Sequence, residues 1–227
     1  MKIKWIGQSG YILNDGKTEI CIDPYLSDVV NKVAGRERLV PCPVQARELL
    51  SDIIICTHNH LDHLDPDAIS EVDVDTKIFY APTDCMEQLE KFGVKNRVPF
   101  DIGDKITTGE FELEAVFADH TVPAIGIIVR HQGKTMYFSG DTYYNEKLED
   151  LKNHNIDYMF ICINGQLGNM NVHEAVLLTQ IIKPKVGIPN HYGMFASNTE
   201  DPQKYVLAIH NGFEMKFNKE YSLEEIG

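Results

Sequence analysis

The chain has 227 residues, of which 43% are hydrophobic, and its formal net charge is −13. This length and composition allow a sizeable core and predict a single domain over residues 1–227. The acidic balance disfavours a nucleic-acid partner, because most of the surface would repel phosphate. No run approaches the ~20 apolar residues that cross a bilayer, and the N-terminus lacks a signal-peptide pattern, so we expect a cytoplasmic protein without a membrane partner. The five cysteines are odd in number and widely spaced, which disfavours a disulfide framework or a thiolate metal site.

The first part of the chain alternates short strands with turns. Strands are predicted over residues 2–6, 11–13 and 18–22, a short helix near 44–50, and a buried strand over 52–56. The segment from Asp23 to about Pro43 lacks a periodic pattern. It is therefore predicted to be an irregular loop, long enough to cover a substrate.

The rest of the chain alternates strands with helices. Asn171 and Glu174 fit a capping box at the start of one of these helices. The alternation predicts an α/β (α+β) fold in which helices cover two mixed sheets. Strands are predicted near residues 77–80, 105–108, 111–118, 124–130, 135–139, 158–163, 185–188 and 213–217, and helices over 83–92, 145–152, 171–182 and 202–210.

The most informative motif follows the predicted strand at 52–56. His58, His60, Asp62 and His63 all lie just past this apolar run. A strand end followed by a tight loop can turn alternating side chains into one cleft. Neutral imidazole and carboxylate are ligands of Zn, Mn or Fe. A polar surface loop is the competing interpretation, and the density of ligand types disfavours it.

Three further strand ends carry a histidine or an aspartate. Loops at such ends meet in layered folds, so these residues could join the first cluster. Taken alone, His120 could be a core histidine and Asp141 a turn former. The predicted ligands are His58, His60 and His120 for a first metal, Asp62, His63 and His191 for a second, and Asp141 bridging the two.

Two polar residues near helix starts each have two interpretations. Asp65 could orient a ligating imidazole, or it could cap a helix that begins at Pro66. His173 lies in the first turn of the 171–182 helix and could reach a ligand, although surface polar residues are common at helix starts.

The order of these sites resembles that of the metallo-β-lactamase superfamily: His-x-His-x-Asp-His, then a His, then Gly-Asp, then a late His. Segments that begin at Asp23, Thr57, Ser139, Ile163 and Ile188 are similar to the branch that contains L-ascorbate-6-phosphate lactonase. The similarity extends from residue 2 to about residue 205. It implies an αββα sandwich and a metal-dependent hydrolase, with a sugar-phosphate lactone as the candidate substrate. Because the lactonase is considerably longer, this chain resembles a compact relative.

The implied reaction is attack of water on an ester or lactone carbonyl. A divalent ion lowers the pKa of its water from about 15.7 toward about 7 and stabilises the developing oxyanion. Asp62 would hold the nucleophile and pass its proton to the leaving oxygen. Tyr192 and Asn190 could donate to the oxyanion, or they could only pack the loop beside His191.

A small anionic substrate is expected, because bound metals make the site locally positive despite the acidic whole. Arg36 and Arg38 could clamp a phosphate, or they could remain solvated on their loop. Backbone N–H groups between Asn164 and Asn169, near His173, could form an anion site before the 171–182 helix.

Two other functions remain open at this point. A phosphodiesterase would use the same pair of metals, and the motif also resembles that of N-acylphosphatidylethanolamine-hydrolysing phospholipase D. A metal-binding domain without activity is less favoured, because a structural site is normally closed by four ligands. The nitrogen and oxygen ligands permit Zn, Mn or Fe. The sequence leaves the oligomeric state open, and a homo-oligomer is compatible with it.

Overall fold

A computed structural model describes all residues from 1 to 227. The strands are β1 (Lys2–Gly7), β2 (Gly10–Asn14), β3 (Glu19–Ile22), β4 (Ile53–Ile55), β5 (Ile78–Ala81), β6 (Arg97–Pro99), β7 (Lys105–Thr108), β8 (Phe111–Phe117), β9 (Ile125–His131), β10 (Lys134–Phe138), β11 (Tyr158–Cys162), β12 (Val186–Asn190) and β13 (Glu220–Ser222). The α-helices are α1 (Val29–Ala34), α2 (Pro66–Glu71), α3 (Met86–Lys91), α4 (Val172–Ile182), α5 (Pro202–Val206) and α6 (Leu223–Ile226). Further 3-10 helices cover Ala46–Glu48, Thr83–Cys85 and Glu146–His154.

The strands form two mixed sheets. The first has seven strands in the order β13-β1-β2-β3-β4-β5-β6, and the second has six in the order β12-β11-β10-β9-β8-β7. In the first sheet, β3 to β6 run parallel, whereas β1 is antiparallel to both of its neighbours. In the second sheet, β7 to β10 are antiparallel, and β10, β11 and β12 are parallel.

The main core lies between the two sheets. Tyr11 of β2 packs against Phe138 and Phe160 of the second sheet, with ring centroids 5.1 and 4.9 Å away. A separate apolar cluster joins α2 and α3 to the outer face of the first sheet, and α4 covers the second sheet. The four layers therefore form an αββα sandwich, which confirms the predicted fold class. No helix of this fold combines the length and apolar character needed to cross a membrane.

The topology brings five strand ends to one edge of the sandwich. Strands β3 and β4 are parallel and end at Ile22 and Ile55. Strands β8 and β10 are both antiparallel to β9, so they run in the same direction as each other and as β12. Each of these strands is followed by an aspartate or histidine of the candidate site. Since loops after buried strands carry functional side chains at the edge of a fold, these residues come to the same edge of the sandwich.

Several predicted elements differ from the observed ones. Helix α1 and its left-handed C-cap Gly35 lie in the segment expected to be irregular. The predicted 145–152 helix is the 3-10 helix Glu146–His154, and the predicted 202–210 helix ends at Val206.

The predicted strand at 213–217 is wrong. Within it, only Phe213 bonds to the backbone of a strand: its N–H donates to the Gly187 carbonyl oxygen. Met215 is buried and Phe213 and Phe217 pack against the core, so an extended segment uses the alternating pattern without forming a ladder. The last strand is instead β13, which pairs with β1.

Candidate metal centre

The first histidine cluster forms around the loop after β4. His58 Nε2 lies 3.0 Å from His60 Nδ1, and His60 Nδ1 lies 3.1 Å from His120 Nε2. His120 comes from the loop after β8, 60 residues away in the chain. Ligand atoms that are each about 2.1 Å from one ion lie about 3.0–3.4 Å apart. The three imidazole nitrogens therefore have the spacing that a divalent ion requires.

A second cluster lies beside the first. His191 Nε2 is 3.6 Å from Asp62 Oδ2, and His63 Nε2 is 4.0 Å from the same oxygen. His63 and His191 are fully buried, while the Asp62 side chain keeps 18% of its surface exposed. These donors could hold a second ion, with Asp62 at the open side.

Asp141 lies between the clusters. Its Oδ1 is 3.3 Å from both His63 Nε2 and His191 Nε2, and its Oδ2 is 3.9 Å from His120 Nε2. One carboxylate oxygen thus faces each cluster, as expected of a bridging ligand. The structure brings all seven predicted ligands together.

Each of three ring nitrogens that point away from the clusters has a polar partner. His63 Nδ1 lies 2.8 Å from Asp23 Oδ2, and His120 Nδ1 lies 3.0 Å from the Gly168 carbonyl oxygen. His58 Nδ1 lies 3.1 Å from Thr57 Oγ1. Partners of this kind fix the tautomer and ring orientation of a ligating histidine. Asp23 was not among the predicted site residues, although it directly follows the buried strand β3, as the ligands follow theirs.

Asp65 does not orient an imidazole. Its Oδ1 accepts hydrogen bonds from the Ala68 N–H and the Ser27 hydroxyl, and its Oδ2 accepts from the N–H groups of Leu26 and Ser27. Asp65 is therefore the N-cap of α2 and an anchor for the loop after β3. Of its two interpretations, the capping role is the one that the structure supports.

The turn between β1 and β2 also reaches the second cluster, which the sequence did not reveal. The Gln8 Nε2 group donates to Asp62 Oδ2 at 2.8 Å, and Ser9 Oγ donates to Asp141 Oδ1 at 3.4 Å. Both side chains are buried. Neither residue belongs to a ligand pattern, so only the three-dimensional structure could place them here.

The two clusters differ in their electrostatics. Burial lowers the pKa of His58, His60 and His120, and neighbouring histidines lower it further. In the second cluster, burial also lowers the pKa of His63 and His191, but the nearby carboxylates outweigh it. The pKa of His63 therefore lies well above its usual value, and the pKa of His191 is raised.

The pKa of Asp141 lies well below its usual range. Burial raises it, but the His191 and His63 side chains lower it more strongly. The carboxylate is therefore ionised at neutral pH, as ligation requires. Together with three imidazoles held neutral in the first cluster, this donor chemistry fits divalent metal ions.

An open cleft of about 370 Å³ leads to the clusters. Helix α1 and the following loop form one wall, through Val30, Ala34 and Arg36, and Leu167 is among the other lining residues. The remaining lining residues are His60, Leu61, Asp62, Thr121, Asp141, His191, Phe195 and Asn198. Among the predicted substrate-binding residues, Arg36 is the one that lines this cleft.

Arg38 is held by its own loop. Its guanidinium donates to the carbonyl oxygens of Tyr25, Ser27 and Val40, each at 3.2 Å, and lies 4.4 Å from the centroid of the Tyr25 ring. The expectation that Arg38 clamps a phosphate is corrected, because its Nε and Nη1 groups donate to these carbonyl oxygens and its Nη2 group is buried.

Asn164, Asn169 and His173 do not line the cleft. The Asn164 Nδ2 group donates to Asn198 Oδ1 at 2.8 Å, so it supports a lining residue from behind. Asn169 is buried, and His173 is exposed on the first turn of α4. Leu167 of the same loop does line the cleft, so an anion site of backbone N–H groups before α4 stays a prediction.

Tyr192 and Asn190 also lie away from the cleft. The Tyr192 ring packs against Trp5, with the ring centroids 4.8 Å apart. The Tyr192 hydroxyl donates to the Met215 carbonyl oxygen at 3.5 Å. Asn190 is fully buried at the end of β12. The structure therefore supports a packing role for Tyr192 and corrects its expected role as an oxyanion donor. Asn190 does not line the cleft, and its role as a donor stays a prediction.

The fold and the two clusters together define a class of protein: an αββα sandwich with two neighbouring groups of histidine and aspartate side chains at one edge. The sequence profile of a family described as a beta-lactamase superfamily domain matches residues 18–192. The chain belongs to this superfamily, the metallo-β-lactamase superfamily that the sequence resembled.

Individual relatives agree with this assignment. The chain is 30% identical to a UPF0173 metal-dependent hydrolase from Archaeoglobus fulgidus, over 92% of this chain and 90% of the relative. It is 27% identical to a UPF0173 metal-dependent hydrolase from Listeria innocua, over 95% of this chain and 96% of the relative. The solved structure of the metallo-beta-lactamase fold protein YhfI from Bacillus subtilis is similar with a TM-score of 0.73, 19% identity, and coverage of 97% of this chain and 98% of that one. The last likeness supports the fold alone.

Proposed function

We propose that this protein is a metal-dependent hydrolase that opens a lactone or ester of a small anionic substrate. The observation that carries the proposal is the position of Asp141, with one oxygen facing each of two histidine clusters on the floor of an open cleft. A site built only for stability would be closed by its ligands. The metal-dependent hydrolase names of the relatives support the same reaction class.

Paired divalent ions at these clusters would supply a water of lowered pKa and a positive charge for the developing oxyanion. Asp62 is suited to a proton-handling role, because its side chain is partly exposed and its Oδ2 lies beside His191. It would accept the proton of the attacking water and return it to the leaving oxygen. Asp23 and the Gly168 carbonyl would keep the ligand rings oriented.

Arg36 is the group that we assign to the substrate anion. It lines the same cleft as Asp62 and His191, and it is the one arginine or lysine among the lining residues. A guanidinium binds a carboxylate or phosphate through charge-assisted hydrogen bonds. A phosphorylated sugar acid such as L-ascorbate-6-phosphate is the first substrate to test, because of the lactonase resemblance.

The test measures turnover by the metal-loaded protein on L-ascorbate-6-phosphate, on uncharged lactones and on bis-p-nitrophenyl phosphate. We expect metal-dependent lactone opening, and Asp62→Asn is expected to lower kcat by about 10²–10⁴-fold. Faster hydrolysis of the phosphodiester would instead support a phosphodiesterase. Retained metal without turnover of any ester, lactone or phosphodiester would contradict an enzymatic function.

The Arg36 assignment has its own control. Arg36→Ala should raise KM for the anionic lactone about 10- to 100-fold, since a hydrogen bond to a charged group contributes about 1.5–3 kcal/mol. KM for uncharged lactones should not change. Arg47→Ala, on the exposed Ala46–Glu48 turn, should alter neither value. An equal effect of Arg36→Ala on both substrates would contradict the assignment.

A further inference from the structure

Gln8 occupies a constrained position beside the second cluster. It lies in the turn between β1 and β2 with a φ of 50°, a left-handed conformation that non-glycine residues rarely adopt. Its carbonyl oxygen accepts hydrogen bonds from Trp5 Nε1 at 2.9 Å and from the His191 N–H at 3.0 Å. The residue is fully buried. Its backbone is therefore fixed to the same segment that carries His191.

The Gln8 amide lies at ligand spacing from two of the predicted ligands. Its Nε2 is 2.8 Å from Asp62 Oδ2 and 3.3 Å from His191 Nε2, and those two atoms are 3.6 Å apart. Atoms that share one divalent ion lie about 3.0–3.4 Å apart. The three separations, 2.8, 3.3 and 3.6 Å, bracket that range, so a small adjustment would let the three groups share one ion.

The other amide atom has no role in this arrangement. Gln8 Oε1 is buried and has no hydrogen-bond partner, which is costly for a carbonyl oxygen. The Nε2 group donates to the Asp62 carboxylate, whereas a carbonyl oxygen at that position would need a cation between itself and the carboxylate. Rotation of the terminal amide by about 180° exchanges the two atoms with little change in shape. It would put Oε1 at the position that Nε2 now occupies.

We propose that Gln8 is a further ligand of the second metal ion, through its side-chain carbonyl oxygen. This inference rests on the proposed pair of ions. It makes the two sites chemically unequal: the first is built from three imidazoles, whereas the second has two imidazoles, the carboxylates of Asp62 and Asp141, and an amide oxygen. Oxygen-rich sites suit Mn²⁺ better than nitrogen-rich ones do.

The experiment titrates the metal-free protein with Mn²⁺, using calorimetry for affinity and electron paramagnetic resonance for the coupled pair. Gln8→Met keeps a side chain of similar length without a hard oxygen. It should weaken the second ion about 10- to 100-fold and leave the first unchanged. Gln180→Met, on the exposed face of α4, should bind both ions as the unaltered protein does.

The Gln8→Glu variant distinguishes between two roles of Gln8, that of a metal ligand and that of a hydrogen-bond donor to Asp62. A glutamate oxygen can ligate but cannot donate to Asp62, so the second ion should bind at least as tightly as in the unaltered protein. If Gln8 only donates to Asp62, Gln8→Glu will weaken the second ion as Gln8→Met does, and the inference is overturned. Unchanged affinity in Gln8→Met would also overturn it. Failure of the unaltered protein to bind two ions would instead contradict the proposed function.

Discussion

Asp23 illustrates how a residue outside the ligand set can control it. Its Oδ2 lies 2.8 Å from His63 Nδ1, and its two oxygens also accept from the Thr57 N–H and hydroxyl, each at 2.7 Å. The negative charge raises the pKa of His63, together with Asp141, against the effect of burial. Asp23 therefore both orients the imidazole and increases its basicity toward a metal.

Asp23→Asn should weaken metal binding about 10- to 100-fold. Asparagine tolerates the left-handed backbone of this position, where φ is 45°, so loss of the charge is the main change. Calorimetric titration of the metal-free protein measures the effect. Asp73→Asn, at an exposed turn, is the control. Equal affinities in the two variants would show that Asp23 does not support His63.

Gly168 permits its loop to approach His120. The residue has a φ of +101°, and a Cβ placed there would lie 2.4 Å from His120 Nδ1. Since His120 Nδ1 bonds to the carbonyl oxygen of the same residue, the loop after β11 sets the orientation of a ligand that follows β8.

Gly168→Ala should therefore displace the His120 ring and reduce metal content. Gly133→Ala is a matched control, because Gly133 also has a positive φ, +75°, but nothing lies within 4 Å of an added Cβ. Both variants should lose some thermal stability through backbone strain. Only Gly168→Ala should lose metal, as measured by elemental analysis. Equal metal content in both would contradict the role of this loop.

Arg38 should matter for stability. Arg38→Met removes donors from three loop carbonyl oxygens, at a cost of about 1–3 kcal/mol. Tm should fall by about 2–12 °C for a chain of this size. Arg47→Met should leave Tm nearly unchanged. If Arg38→Met instead raised KM without lowering Tm, the clamp originally expected from the sequence would be correct.

Elements with a strong local signal could be predicted, and those that depend on a partner could not. The apolar composition of the runs at β4, β8 and β11 is enough to predict buried strands. The capping box of Asn171 and Glu174 is present as predicted. Strand β6 contains Pro99 and is partly exposed, so only its pairing with β5 makes it a strand. Helix α1 is short and lies within a segment of turn-forming residues.

The same distinction holds for the site. Ligands at strand ends could be predicted because His-x-His-x-Asp-His is dense in metal-binding groups. Tyr192 and Asn190 were expected in the cleft only because they adjoin His191 in sequence. Side chains next to a ligand alternate in direction, so adjacency predicted their location poorly. Gln8 lacks any local signal, because its position depends on the meeting of a hairpin turn with β12.

At the scale of the whole molecule, the protonation of two buried histidines, His63 and His191, couples stability and metal binding to pH. Without metal, the raised pKa values of His63 and His191 favour their protonated forms near neutral pH. Their stabilising contribution is fully present below the unfolded-state pKa of about 6.5 and is lost as pH rises through the folded-state values. Metal binding requires neutral imidazoles, so it must release these protons.

Two opposite pH trends should follow between about pH 6.5 and 8, a window above the ordinary histidine pKa. Tm of the metal-free protein should fall as pH rises, whereas apparent metal affinity should increase by up to about tenfold per pH unit for each proton released. Thermal scans and calorimetry in buffers of different ionisation enthalpy measure both. Metal binding without proton release in this range would contradict the assigned pKa directions.

The position of the ions themselves can be measured by anomalous X-ray scattering from crystals of the metal-loaded protein. We expect two peaks on the cleft floor, with Asp141 between them. One peak should lie among His58, His60 and His120, and the other among Asp62, His63 and His191. Anomalous peaks only at other positions, or none in the cleft, would contradict a metal-dependent hydrolase built on these residues.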